Sequence, residues 1–117
     1  MSPLDPKPYL PLTPVALHVL MTLEEGVTHG YAIKRVVELR TKGVVRLGAG
    51  TLYHAIGSLV KRKLVAECPP PTPDAAGSPR WRFYEITPLG RRVLKAEVAR
   101  LEADVAYARA SLGVAKG

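Results

Sequence analysis

The chain has 117 residues and a single cysteine, Cys68, which allows one small domain and no internal disulfide. Apolar residues make up 47% of it, enough for a core, and no apolar run approaches the roughly 18 residues that span a bilayer. With no signal peptide at the start and the cysteine reduced, the expected location is the cytoplasm.

The net charge of +7 is confined to one stretch. Between Thr28 and Lys63 the cations are Lys34, Arg35, Arg40, Lys42, Arg46, Lys61, Arg62 and Lys63, and Glu38 is the one anion. The rest of the chain balances. A basic excess held in a third of a small domain is the electrostatic footprint of nucleic-acid binding, with an ordinary solvated basic surface as the alternative.

In chain order, the first twelve residues carry four prolines and read as an arm. Thr13 and Pro14 then start a helix over Pro14 to Glu25, because Thr caps free N–H groups and Pro lacks the N–H that would be orphaned there. Val15, Leu17, Val19, Leu20 and Leu23 make that helix apolar, and Gly26 ends it. A second helix is predicted from Thr28, its expected cap, to Arg40 or Thr41. Ile33, Val36, Val37 and Leu39 would share its core side, with Tyr31, Lys34, Arg35 and Glu38 opposite. Tyr31, Lys34 and Arg35 suit phosphate contact, although Tyr31 packed under a loop is the rival reading.

Residues 44–47, VVRL, read as a short strand. GAG at 48–50 then forms a turn, and Thr51 is placed to cap a third helix from about Leu52 to Arg62. Its core side is Leu52, Ile56, Leu59 and Val60, and His54, Gly57, Ser58 and Lys61 face away. Gly48 and Gly50 remove side chains where backbone would approach phosphate, and a helix N-terminus offers N–H groups and the positive end of a dipole. The bland alternative for GAG is a plain turn. Lys61, Arg62 and Lys63 either complement the dipole, reach phosphates or are simply solvated.

Leu64 to Cys68 reads as a strand, and the Pro-rich segment that follows cannot be helix or central strand. RWRFYEIT, residues 80–87, is the returning strand of a hairpin, with Arg80 and Arg82 near its tip. Thr87 and Pro88 start a last helix. Along it Leu94, Val98, Leu101, Val105, Ala108 and Leu112 recur at alternating steps of four and three, a heptad seam of nearly three repeats. Arg91, Arg92, Lys95, Glu97, Arg100, Glu102, Asp104 and Arg109 occupy its other faces. Little chain is left to cover the seam, so a second copy of the protein is the expected partner.

Helix, helix, short strand, helix, strand, loop, strand, helix is the order of a winged helix-turn-helix: mainly α with a small β-hairpin, plus a long C-terminal dimerisation helix. The expected division is an arm over 1–12, a DNA-binding domain over 13–87 and a dimerisation helix over 88–117. In such folds the third helix enters the major groove. Base reading would fall to Thr51, His54 and Ser58, although His54 is equally a plain surface histidine. Phosphate contact would fall to Tyr31, Lys34, Arg35 and the backbone of Ala49 and Gly50, with Arg80 and Arg82 on the wing and Tyr53 at the flank of the helix.

LTPVALHVLMTL, HGYAIKRVVE, GTLYHAIGSLVKRKLV and RFYEITPLGRRVL resemble successive blocks of the PadR family of bacterial transcriptional regulators, from about Leu12 to Glu97. The resemblance implies a homodimeric DNA-binding regulator, usually a repressor and sometimes released by a small molecule. A two-fold dimer in turn implies a roughly palindromic operator. It also implies that Tyr31 and Tyr53 lie near the DNA backbone. A single C-terminal helix resembles the smaller branch of the family. Lys63 stands where the family usually has glycine, which suggests a less sharp turn.

Trp81, Phe83 and Tyr107 are candidates to line a cavity for a small aromatic effector, or else they fill a core or dimer seam. Cys68 has no resolving partner for a redox role. One Cys and three scattered His give no metal-ligand spacing, and no cofactor is expected. No Ser–His–acid, Cys–His or phosphate-loop pattern is present, so an enzyme is not expected. The rival class is a winged-helix module that binds protein without specific DNA binding.

Overall fold

The computed structural model describes residues 4–73 and 81–114. Three helices form the first unit: α1 (Pro14–Glu25), α2 (Gly30–Arg40) and α3 (Ala49–Lys61). A two-residue strand, β1 (Thr28–His29), directly precedes α2. Strands β2 (Val65–Cys68) and β3 (Phe83–Ile86) make the hairpin, and α4 (Pro88–Leu112) follows it. The architecture is mainly helical with a small antiparallel sheet, as a winged helix requires.

Two helix starts form as their local residues dictate. The Thr13 hydroxyl accepts from the Ala16 N–H at 3.1 Å, and the Thr87 hydroxyl accepts from the Gly90 N–H at 2.9 Å, each with proline in the first turn. The start of α2 differs from expectation. Thr28 is not its cap, because its backbone is engaged in β1, opposite Tyr84 of β3. His29 takes the capping place instead, its Nδ1 accepting from the Ala32 N–H at 3.2 Å.

The sheet order is β1-β3-β2, so β3 is central. Val65 pairs with Ile86 and Cys68 with Phe83 on one side of it, and His29 pairs with Phe83 on the other. The predicted strand at 44–47 does not form. Its backbone has no ladder partner, and the Thr41 side chain holds it as a loop: the Val45 N–H donates to Thr41 Oγ1 at 3.0 Å. Leu47 is still buried there, whereas Val44 is exposed.

One core joins the four helices and the hairpin. Val19, Leu20 and Leu23 of α1 meet Ile33 and Val37 of α2, Leu52, Ile56 and Leu59 of α3, Leu64 and Val65, Ile86, and Val93 and Leu94 of α4. Each such side chain contributes about 1.5–3 kcal/mol on burial. Leu39, expected on the core side of α2, is exposed, since it lies beyond the last residue that the core covers, Val37. Leu94, expected in the dimer seam, belongs to this core at 7% exposure. The exposed part of the seam therefore begins at Val98.

Two positions near the start of α4 carry the hairpin onto the helix. The Thr87 hydroxyl donates to the Lys63 carbonyl at 2.7 Å, and Gly90 packs directly on the Leu64 carbonyl. Lys63 itself has φ 65°, in the left-handed region. The turn is as sharp as a glycine would make it, contrary to expectation, because Leu64 must bond back to the Leu59 carbonyl at 2.9 Å.

Glu97, expected on an outer face of α4, is buried at 1% exposure. Its Oε2 accepts from the Leu12 N–H at 2.8 Å, and Arg100 Nε donates to Oε1 at 2.5 Å. The Arg100 hydrogen bond, against the opposing effect of burial, holds the carboxyl below its ordinary value. This contact ties the end of the arm to α4. Tyr9 of the arm also lies under the Arg62 guanidinium, 4.8 Å from ring centroid to carbon.

Candidate nucleic-acid interface

The third helix is set apart by its start. Thr13, His29 and Thr87 cap α1, α2 and α4 with a side-chain acceptor, whereas Gly48 caps α3 with none. Thr51, the expected cap, lies inside the helix, because α3 begins two residues earlier, at Ala49. The Leu52 N–H is the first to bond back, to the Gly48 carbonyl at 2.9 Å. The preceding N–H groups, at Ala49, Gly50 and Thr51, sit at an exposed, bare helix end.

Leu52, Ile56 and Leu59 hold α3 to the core, which turns Thr51, His54 and Ser58 outward. These three line one shallow cleft of about 310 Å³ together with Thr13 and Arg62. The structure thus gathers the three expected base-reading residues on one exposed strip of α3.

Tyr53 leads to the neighbouring helix. Its ring lies over Gly30 at the start of α2, and a Cβ at Gly30 would stand 2.8 Å from the ring and hydroxyl. Tyr31 and Tyr53 are each 53% exposed, so part of each side chain stays open to a partner. Arg35 lies one turn beyond Tyr31, its Nη1 3.5 Å from the Tyr31 hydroxyl and its guanidinium carbon 6.0 Å from the ring centroid. Lys34 is half-buried beside it.

The sequence did not reveal the role of His29. Its ring stacks on Trp81 at 4.2 Å between centroids and meets Phe83 edge-on at 5.3 Å. Burial lowers the His29 pKa, which favours the neutral ring that Nδ1 needs in order to accept. A threonine one residue earlier was the stronger local signal for a cap and hid it. Trp81 and Phe83 are thereby committed to the base of the wing. Tyr107 stands 78% exposed on α4, in none of the ring contacts that gather the other two. Arg82 lies 3.8 Å from Glu67 across the hairpin, and Arg80 lies outside the described residues.

Charge pairing divides the surface. On α4, Arg91 pairs with Glu24 at 2.8 Å, and Arg100 pairs with Glu97 and Asp104. Among the described residues, Lys34, Arg35, Lys42, Arg46, Lys61 and Lys63 make no ion pair. The excess positive potential is therefore left free on α2, α3 and the turn between them.

Residues 19–96 match the transcriptional regulator PadR-like family. The chain belongs to that family. This is a family of transcriptional regulators. Its fold is similar to a transcriptional regulator from Clostridium thermocellum, at TM-score 0.70 and 23% identity over 93% of this chain and 95% of that one. It is also similar to RosR of H. salinarum, at TM-score 0.59 and 25% identity over 85% and 79% of the two chains. An uncharacterized 37.1 kDa protein in transposon TN4556 of Streptomyces fradiae is 38% identical over 90 residues, or 74% of this chain. The PadR-like chain spans only 24% of that relative's length. Among the described residues no helix is long and apolar enough to cross a membrane.

Proposed function

We propose that the protein is a homodimeric repressor that binds a palindromic operator. The observation that carries this reading is the uncapped start of α3, with Thr51, His54 and Ser58 exposed beyond it and Tyr31, Arg35 and Tyr53 beside it. Thr51, His54 and Ser58 read base edges in the major groove. Tyr31, Lys34, Arg35, Tyr53 and the backbone at Ala49 and Gly50 hold phosphates, and Arg82 of the wing reaches the flanking backbone.

The dimer seam is the second part of the reading. Val98, Leu101 and Val105 of α4 face Leu17 and Met21 of α1 across an open apolar groove of about 800 Å³. Val105 and Leu112 are 51% and 76% exposed, which supports a second copy covering them. A two-fold dimer places its two α3 helices in successive major grooves, on the order of 34 Å apart. A small aromatic effector has less support, since two of the three rings proposed to hold it pack on His29.

Fluorescence anisotropy tests the reading, with DNA from upstream of the protein's own gene against a scrambled duplex over a range of salt. The expected result is tight, salt-steep binding that prefers the native duplex. Arg35→Ala should weaken both duplexes alike, and His54→Ala should narrow the preference between them. Equal loss on both duplexes for His54→Ala would remove it from base reading. Sedimentation equilibrium should give twice the chain mass, and a monomer would overturn the two-fold arrangement.

A further inference from the structure

The turn between α2 and α3 folds back on itself. Lys42 and Gly43 are consecutive left-handed residues, with φ 53° and 80°. The Lys42 N–H donates to the Leu39 carbonyl at 3.2 Å and the Gly43 N–H to the Glu38 carbonyl at 2.8 Å, which closes the end of α2. The reversal brings Arg46 alongside the helix, where its Nε donates to the Gly43 carbonyl at 3.4 Å. Arg35, Lys42 and Arg46 then line one cleft of about 320 Å³ with Glu38, Leu39 and Gly43.

Three cations converge there on one acid, and none of the three makes an ion pair among the described residues. The arginines Arg91 and Arg100 of α4, by contrast, are matched with carboxylates. The three cations are exposed and repel one another only weakly in water, and an anion in the cleft would meet all three at once. Leu39, 71% exposed, forms an apolar wall of the same cleft. Charge next to an apolar wall fits a phosphodiester, whose anionic oxygens adjoin an apolar deoxyribose. The cleft is also continuous with the proposed DNA face, because Arg35 belongs to both.

We propose that this cleft is a further DNA-backbone site, in which Lys42 and Arg46 join Arg35 on a phosphate beyond those held by Tyr31 and Tyr53. The proposal rests on the reading of the protein as a DNA-binding regulator. Lys42 and Arg46 add affinity that is independent of sequence, since a phosphate is the same at every base step.

The test is the slope of log affinity against log salt on a labelled scrambled duplex, for the wild type, Lys42→Gly, Arg46→Gln and the double variant. Lys42→Gly removes the ammonium while easing a left-handed backbone, so it keeps the test open if Arg46→Gln disturbs the turn. Removing one cation from a phosphate should flatten the slope by roughly 0.9. The expected result is a flatter slope for each variant, with the same change on the native duplex. An unchanged slope in both Lys42→Gly and the double variant, with the wild type binding normally, would overturn the proposal and leave the cleft to an acidic protein segment. A wild type with no salt-dependent binding to either duplex would overturn the DNA reading itself, and this proposal with it.

Discussion

The ring of Tyr53 rests on Gly30, so two residues on different helices share one space: a Cβ at Gly30 would stand 2.8 Å from the Tyr53 hydroxyl. The contact locks the start of α2 to the bare start of α3. It explains why the HGY and GTLY segments occur together in this chain. The glycine is needed for close approach and not for an unusual backbone, since its place is the first residue of an ordinary helix.

Gly30→Ala should displace the half-exposed Tyr53 ring and weaken DNA binding while leaving the fold intact. In a Tyr53→Ala background the clash is gone, and the same substitution should stabilise by about 0.4–1 kcal/mol through the unfolded state. Thermal melts of the four proteins in the cycle measure the coupling. Additive effects would mean that the two residues do not share the space.

Gly90→Ala should behave differently. The new Cβ would meet the Leu64 carbonyl, which is backbone and cannot swing aside as the Tyr53 ring can. A loss of roughly 1–3 kcal/mol or more is expected. A urea midpoint equal to that of the wild type would show that α4 shifts freely on the hairpin.

Lys63→Gly should stabilise the protein. A lysine held at φ 65° is strained by roughly 1–2 kcal/mol, and glycine relieves that at some cost in unfolded-state entropy. The net gain expected is about 0.5–1 kcal/mol. Equilibrium unfolding of the purified variant measures it.

Glu97 predicts an acid limb in the stability profile. Its carboxyl is held below the ordinary value of 4.5 by Arg100, against the opposing effect of burial, with further help from the Leu12 N–H. Its stabilisation is complete above that value and is lost as pH falls through the lower folded pKa. Glu97→Gln should therefore be less stable at pH 7, by about 1–3 kcal/mol, and its melting temperature should fall less steeply below pH 4.5. A variant that tracks the wild type across that range would count against the buried contact.

Histidine adds a second window at higher pH. Burial lowers His29, and burial together with Arg40 lowers His18, whose Nδ1 accepts from the Arg40 guanidinium at 2.8 Å. Both rings hold α2 in their neutral form. Their contribution is complete above the ordinary value of 6.5 and is lost as pH drops through the folded values. Melting temperature should decline below pH 6.5, and His29→Asn, which keeps a capping acceptor that cannot protonate there, should reduce that decline. An equal decline in the variant would place the sensitivity elsewhere.

What could be read along the chain was what depends on neighbours in the chain. Thr13 with Pro14 and Thr87 with Pro88 start helices through local hydrogen bonds, and the apolar spacing of α3 is a property of that helix alone. The basic stretch and the HGY and GTLY segments pointed to a DNA face without any knowledge of packing. Other features depend on residues far apart. β1 is two residues long and exists only because the far edge of β3 is open to it. Glu97 is buried against Leu12, 85 residues away in the chain, whose N–H it accepts. Leu94 and Leu39 sit where a periodic reading would exchange them, because burial depends on which neighbour arrives and not on the stripe itself. The convergence of Arg35, Lys42 and Arg46 likewise needed the left-handed turn at Lys42 and Gly43 to fold the chain back on α2. Local propensity determined the four long helices, the hairpin and the charge. The tertiary structure decided which of those charges meet an acid and which remain free.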